Sequence, residues 1–227
     1  MATQYRNERK HQISQADALV LRARLSHVMT RDSHAQQDGC YHIRSLYFDN
    51  SENKVLREKL DGVDERSKYR LRLYNHDPSR IVLERKHKLH GGCHKDQYDL
   101  SRAQAEALLQ RDVAWMRTHD NAFVRSAGNA MLLDHLQPCV IVDYHREPFI
   151  YGPGNVRITL DDRLRTSLHT GGLLSGTALQ TLPALHDFVV LEIKYDDFIP
   201  DFLVHLLGLD NRSRRSVSKY MQARVFG

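Results

Sequence analysis

Long cations recur at every second position in several short stretches of this chain. Arg66, Lys68, Arg70 and Arg72 alternate with Tyr69, Leu71 and Leu73, and Arg80, Glu84, Lys86 and Lys88 with Ile81 and Leu83. Arg157, Thr159 and Asp161 oppose Val156, Ile158 and Leu160, while Glu192 and Lys194 oppose Val189, Leu191 and Ile193. A spacing of two puts side chains on one face of a β-strand. Four strands are therefore expected to carry charge on one face and aliphatic packing on the other. A charged face turned to plain solvent would give the same parity. Cations at i and i+2 repel one another, however, unless an anion lies between them. Arginine forks and lysine point charges suit phosphate oxygens. Glu84 and Glu192, each two residues from a lysine, add carboxylates that can share a divalent cation with phosphate.

Other chemistries have weaker support. His87, His90, Cys93 and His94 flank Gly91-Gly92, but no second Cys/His pair follows at zinc-finger spacing, so a surface hairpin is expected. No GxSxG elbow and no GxxxxGK[ST] loop occur, which argues against a hydrolase elbow and a P-loop. Gly152-Pro153-Gly154 reads as a turn. Arg212, Arg214 and Arg215 read as a solvated helix face rather than a nucleic-acid patch.

The elements that must position these residues follow from periodicity and turn chemistry. Helices are expected from Ser14 to Met29 (capped by Ser14), over Lys54–Leu60, from Ser101 to about Arg117 with a Ser101/Gln104 capping box, and from Asn121 to His135. Pro200 permits a further helix start, and Ser213–Arg224 reads as helical. Strands are expected at Tyr41–Asp49, Arg66–Tyr74, Arg80–His90, Cys93–Leu100, Cys139–Ile150, Val156–Asp161 and Phe188–Tyr195, with another short one within Gly171–Leu182. Strands arriving as hairpins, with helices in blocks, indicate α+β rather than a parallel βαβ array. So many strands could curl into a closed antiparallel barrel of about eight strands, turning the charged face inward and the helices outward. A single domain spanning residues 1–227 is expected.

Composition sets limits on this reading. Thirty-three Lys and Arg against 28 Asp and Glu give a net charge of +5, with 27% charged and 41% hydrophobic residues; disordered and collagen-like classes are excluded. No run of about 18 apolar residues offers a membrane span, and the first ten residues lack the apolar core of a secretory signal. Cys40, Cys93 and Cys139 lie far apart with no CxxC, as expected of a cytoplasmic protein.

The chain resembles the VTC-type polyphosphate polymerase domain of the triphosphate tunnel metalloenzymes, relatives of the CYTH proteins. The matching stretches, in family order, are Tyr5–His11, Leu46–Asp49, Lys68–Tyr74, Leu83–Lys88, Arg157–Asp161, Leu191–Tyr195 and Ser216–Tyr220. The resemblance implies a closed barrel whose charged tunnel binds a triphosphate with Mn²⁺ or Mg²⁺. It implies Lys10, Arg70, Arg72, Lys86, Arg157, Lys194 and Lys219 as catalytic cations, Arg146, Lys95 and Lys88 as phosphate binders, and Glu192 and Glu84 as metal ligands. The implied reaction transfers the γ-phosphate of a nucleoside triphosphate, ATP, onto a growing polyphosphate chain. A triphosphatase or a non-catalytic polyphosphate binder on the same barrel is the alternative. Nucleic acid is not an expected partner; a membrane protein is a candidate one. Two departures stand out. Arg6 precedes Glu8 and Lys10 where hydrolytic relatives carry ExExK, and Gln97 stands where a second basic residue often follows the position of Lys95.

Overall fold

The computed structural model describes residues 6–90, 92–174, 181–184, 187–209, 212–213 and 217–226. Expectations that touch Tyr5, Gly91, residues 175–180, Arg214, Arg215 and Ser216 lie outside them. In chain order the elements begin with β1 (Asn7–Ile13), α1 (Gln15–Val28), β2 (Thr30–Arg31), β3 (Tyr41–Asp49) and α2 (Lys54–Leu60). Next come β4 (Arg66–Tyr74), β5 (Asp77–Leu89), β6 (Gly92–Leu100), α3 (Arg102–Leu109) and a 3₁₀ turn at Ala114–Thr118. The chain continues through α4 (Ala122–Leu133), β7 (Gln137–Tyr151), β8 (Val156–Ser167) and β9 (Leu182–Pro183). It ends with β10 (Val189–Tyr195), α5 (Asp201–Leu207) and α6 (Lys219–Phe226).

Two compact units emerge. The first comprises Met1–His42, Tyr144–Leu164 and Leu185–Ser218; the second comprises Ile43–Asp143, Arg165–Ala184 and Lys219–Gly227. In the first, antiparallel pairing runs β1–β10–β8 and on to residues 144–151 of β7, which also pair with β2. Its core joins Ile158 and Leu160 of β8 and Leu191 and Ile193 of β10 to Ala18, Leu21 and Leu25 of α1 and Leu203 and Leu207 of α5. The helices thus cover the aliphatic face that alternation predicts, and each such leucine contributes about 1.5–3 kcal/mol by leaving water. Ser14 caps α1 by accepting from the Asp17 N–H at 3.0 Å.

In the second unit, residues 137–143 of β7 lead into β3–β4–β5–β6, and β9 pairs with residues Arg165 and Thr166 of β8. Ile81 and Leu83 are buried on one face of β5. Arg85 extends that face toward α4, its guanidinium 5.5 Å from the Phe123 ring and its Nη1 3.2 Å from Ser126 Oγ.

The antiparallel α+β architecture matches expectation, but the closed barrel does not. Hydrogen-bonded order begins at β1 and ends at β6, with β2 and β9 paired off that path, so the ladder among the described residues is open. Closure needs two outer strands to pair with matching tilt and stagger. β6 instead alternates exposed and half-buried side chains up to Leu100 and presents Lys95, Asp96 and Asp99, the charged edge that opposes further pairing. Element boundaries also differ. β5 begins at Asp77 because Asn75 and His76 both adopt positive φ (53° and 58°), forming a two-residue hairpin turn in place of the expected five-residue loop. α3 stops at Leu109, with Arg111 at φ 63°. β1 carries no strand signal in the sequence, because its polar run lacks apolar alternation. No helix among the described residues is long and apolar enough to cross a membrane.

Candidate functional site

In the first unit the pairing register assembles charge row by row. Lys10 of β1 lies opposite Glu192 of β10, which lies opposite Thr159 of β8. One row away are Glu8, Lys194 and Arg157. Glu192 is buried and meets Lys194 Nζ at 3.3 Å, Arg146 Nη2 at 3.3 Å and Lys10 Nζ at 3.6 Å. Burial opposes its charge, but Lys10, Lys194 and Arg146 outweigh burial and hold the carboxyl well below the ordinary glutamate range. Lys10 is half-buried, and its desolvation favours the neutral amine, yet Glu192 and Glu8 raise it above an ordinary lysine; its Nζ lies 3.0 Å from Glu8 Oε1. Both partners stay ionised at neutral pH.

Arg146 of β7 grips Asp161 with two parallel bonds, Nε to Oδ1 and Nη2 to Oδ2, each 2.7 Å. Arg157 Nη2 donates to Asp32 Oδ2 at 2.7 Å and to the Tyr41 hydroxyl at 2.6 Å. Asp32 comes from the loop after β2 and is also held by the His34 N–H at 3.1 Å.

The second unit repeats the theme with a different carboxylate. Tyr47, Arg70, Glu84 and Gln97 form one cross-strand row. Glu84 is 1% exposed and receives Lys95 Nζ at 2.5 Å, Arg70 Nε at 2.6 Å and, more distantly, Arg72 Nη1 at 3.6 Å. Burial pushes its carboxyl up; Arg70, Arg72 and Lys95 overcome this and hold it far below the ordinary value. Arg70 Nη1 also donates to the Tyr47 hydroxyl at 2.8 Å. Burial raises that phenol, but Arg70, Arg72 and Lys219 lower it further, which places the Lys219 charge near this cluster. The adjacent row is Lys68, Lys86 and Lys95, and Lys88 lies opposite Arg66 and Cys93. Gln97 accepts from Lys95 Nζ at 3.0 Å.

The structure thus brings Lys10, Arg146, Arg157, Glu192 and Lys194 together in one unit, and Arg70, Arg72, Lys86, Lys88, Lys95, Lys219 and Glu84 together in the other. Four further residues complete the groups, of which Asp32 and Tyr41 escape the sequence reading. Glu8 and Thr159 join the first group by register, while Asp32 and Tyr41 orient Arg157. Asp32 carries no signal in a polar loop 125 residues before its partner. A buried acid on Arg157 only becomes visible once the fold is known.

The donor set of the first unit fits a hard divalent ion. Glu8 and Glu192 supply carboxylate oxygens around Lys10, and Thr159 Oγ1, opposite Glu192, is buried with no hydrogen-bond partner. Oxygen donors of this kind suit Mg²⁺ or Mn²⁺. The other constellations resolve as structure. His87 pairs with Ser67, His90 with Asp64 and His94 with Asp96. Arg212 pairs with Asp17 at 3.2 Å.

Residues 5–226 match the VTC domain family. No curated protein matches the chain. Among solved structures, a candidate adenylate cyclase from Bacillus halodurans superposes with a TM-score of 0.58 at 14% identity, covering 100% of both chains. A candidate adenylyl cyclase from Hippeastrum with a dominant triphosphatase activity gives 0.56 at 14% identity, covering 96% of this chain and 95% of that one. The PH1819 protein from Pyrococcus horikoshii gives 0.51 at 13% identity, covering 96% and 97%. At such identities the likeness is one of fold.

Proposed function

This chain belongs to the VTC domain family, and we propose that it is a metal-dependent polyphosphate polymerase that transfers the γ-phosphoryl group of ATP onto a phosphate chain. The observation that carries the reading is Glu192. It is a buried carboxylate ringed by Lys10, Lys194 and Arg146 on one charged sheet face, which is more than an anion binder requires. The fold neighbour with triphosphatase activity is in keeping with a triphosphate substrate. A cytoplasmic setting and a single domain of residues 1–227 belong to the same proposal.

Phosphoryl transfer asks little covalent chemistry of the protein, so alignment and charge stabilisation dominate. In the first unit, Lys10, Arg146, Arg157 and Lys194 bind phosphate oxygens, with the Arg157 donors aimed by Asp32 and Tyr41. Glu192 and Glu8 would hold a Mn²⁺ or Mg²⁺ ion, which when bound would supply positive charge to offset that on the transferred group. In the second, Arg70, Arg72, Lys86, Lys88, Lys95 and Lys219 bind phosphate oxygens, and Glu84, the second carboxylate expected to face metal, keeps three of these cations spaced. Gln97 in place of a cation lowers the charge beside Lys95.

Arg6 favours transfer to phosphate over transfer to water. It stands two residues before Glu8, and its Nε lies 2.9 Å from Asp196 Oδ1. The position therefore offers no carboxylate to activate water. Incubation of purified protein with ATP and Mn²⁺, resolved by gel electrophoresis and ³¹P NMR, tests this. Long phosphate polymer with ADP is expected. Free phosphate or tripolyphosphate would assign a hydrolase, and intact ATP a binding module.

A further inference from the structure

Arg146 spends its donors unevenly. A guanidinium has five N–H groups in a planar fork. Nε and Nη2 both go to Asp161, and Nη2 also reaches Glu192 at 3.3 Å. The Nη1 group takes no part in this clasp. The guanidinium carbon lies 5.5 Å from the Tyr144 ring centroid, so ring and carboxylate together fix the plane of the fork. Asp161 is buried to 2% exposure, one row from the Thr159–Glu192 pair on the same face of β8. Two parallel bonds to a buried carboxylate hold an arginine in one orientation and remove the ordering cost of ligand capture.

We propose that Asp161 is a positioning residue: it holds the Arg146 fork so that the Nη1 group is presented to a phosphate oxygen on the Glu192 side of the sheet. The inference rests on the reading of this face as a triphosphate site. Charge alone does not carry the role, because Lys10 and Lys194 already supply cations beside Glu192. What Arg146 adds is direction. Lysine at 146 would keep the charge and lose the fork.

Metal-free binding of inorganic tripolyphosphate, measured by calorimetry in EDTA with thermal melting in parallel, is the test. Asp161→Asn is expected to weaken binding about tenfold, and Arg146→Lys to weaken it by a similar factor. The double variant Asp161→Asn/Arg146→Lys should lose no more than about twofold beyond either single change, because the two act as one unit. A purely structural aspartate gives additive losses that follow the melting temperature, and that outcome overturns the proposal. So does binding by Arg146→Lys at wild-type strength, a result that remains readable if Asp161→Asn fails to fold. Wild-type protein that ignores tripolyphosphate removes the triphosphate reading and this inference together. Wild-type binding with an unchanged Asp161→Asn variant removes this inference alone.

Discussion

Replacing Glu192 by alanine removes the acceptor shared by Lys10, Lys194 and Arg146. Arg146 keeps Asp161 and Lys10 keeps Glu8, so the fold should survive while the proposed metal site loses its principal carboxylate. Turnover is expected to fall by about 10²-fold or more, with an unchanged far-UV spectrum; persistent metal-dependent activity would remove Glu192 from the site. Glu84 makes a stability prediction instead. Arg70, Arg72 and Lys95 overcome burial to depress its folded pKa. A depressed carboxylate contributes its full stabilisation above its unfolded value of about 4.3, and loses it as pH falls through the lower folded value. Wild-type stability in urea should therefore hold from neutrality to about pH 5 and decline below. Glu84→Gln should cost about 3 kcal/mol at pH 7, because it strands the buried Arg72 and the half-buried Arg70, and should show a shallower acid decline. Parallel pH curves for the two proteins would contradict this. At this scale strand parity made Arg70, Arg72, Glu84, Arg157, Glu192 and Lys194 legible, since a period of two needs only local sequence. Parity also put Thr159 on that face, but Asp32 and Tyr41 were not legible, because their roles come from contacts across long separations.

The elements themselves were legible wherever local chemistry decides them. β3, β4 and α2 match their expected bounds, and Ser14 and Asn121 cap α1 and α4, since alternation, capping and turn chemistry all act over a few positions. The misses have local causes too. α3 ends early because Arg111 turns left-handed and the chain re-enters as a 3₁₀ turn, which helical periodicity cannot foresee. That turn brings Met116 against α4 at Gly128. A Cβ built on Gly128 would lie 2.5 Å from Met116 Cβ, and Met116 is fully buried. Alanine at 128 would gain about 1 kcal/mol of helix propensity. It must also push the two segments apart, an overpacking cost of about 1–3 kcal/mol. Gly128→Ala should therefore lower the urea midpoint, by roughly 1 kcal/mol of stability; a midpoint equal to wild type or above it would mean that the 3₁₀ turn yields freely.

For the whole molecule, net charge of +5 says little until the cations are placed. The cations of the candidate site gather around two buried glutamates, Glu84 and Glu192, one in each compact unit, while a third buried glutamate, Glu147, pairs with Arg22 and Arg31. The same chain segments serve both units: β7 passes from residues 137–143 in the second to 144–151 in the first, and β8 from 156–164 in the first to 165–167 in the second. Melting either unit therefore frees part of a strand on which the other depends. The shared strands predict that both units unfold in one cooperative step. Scanning calorimetry should show one transition, with calorimetric and van't Hoff enthalpies that agree, and added tripolyphosphate at 100 times its Kd should stabilise the protein by about 2.7 kcal/mol. Two resolved transitions would divide the chain into independent domains. A ligand-induced shift confined to one of them would then locate the phosphate site in the unit that carries that transition.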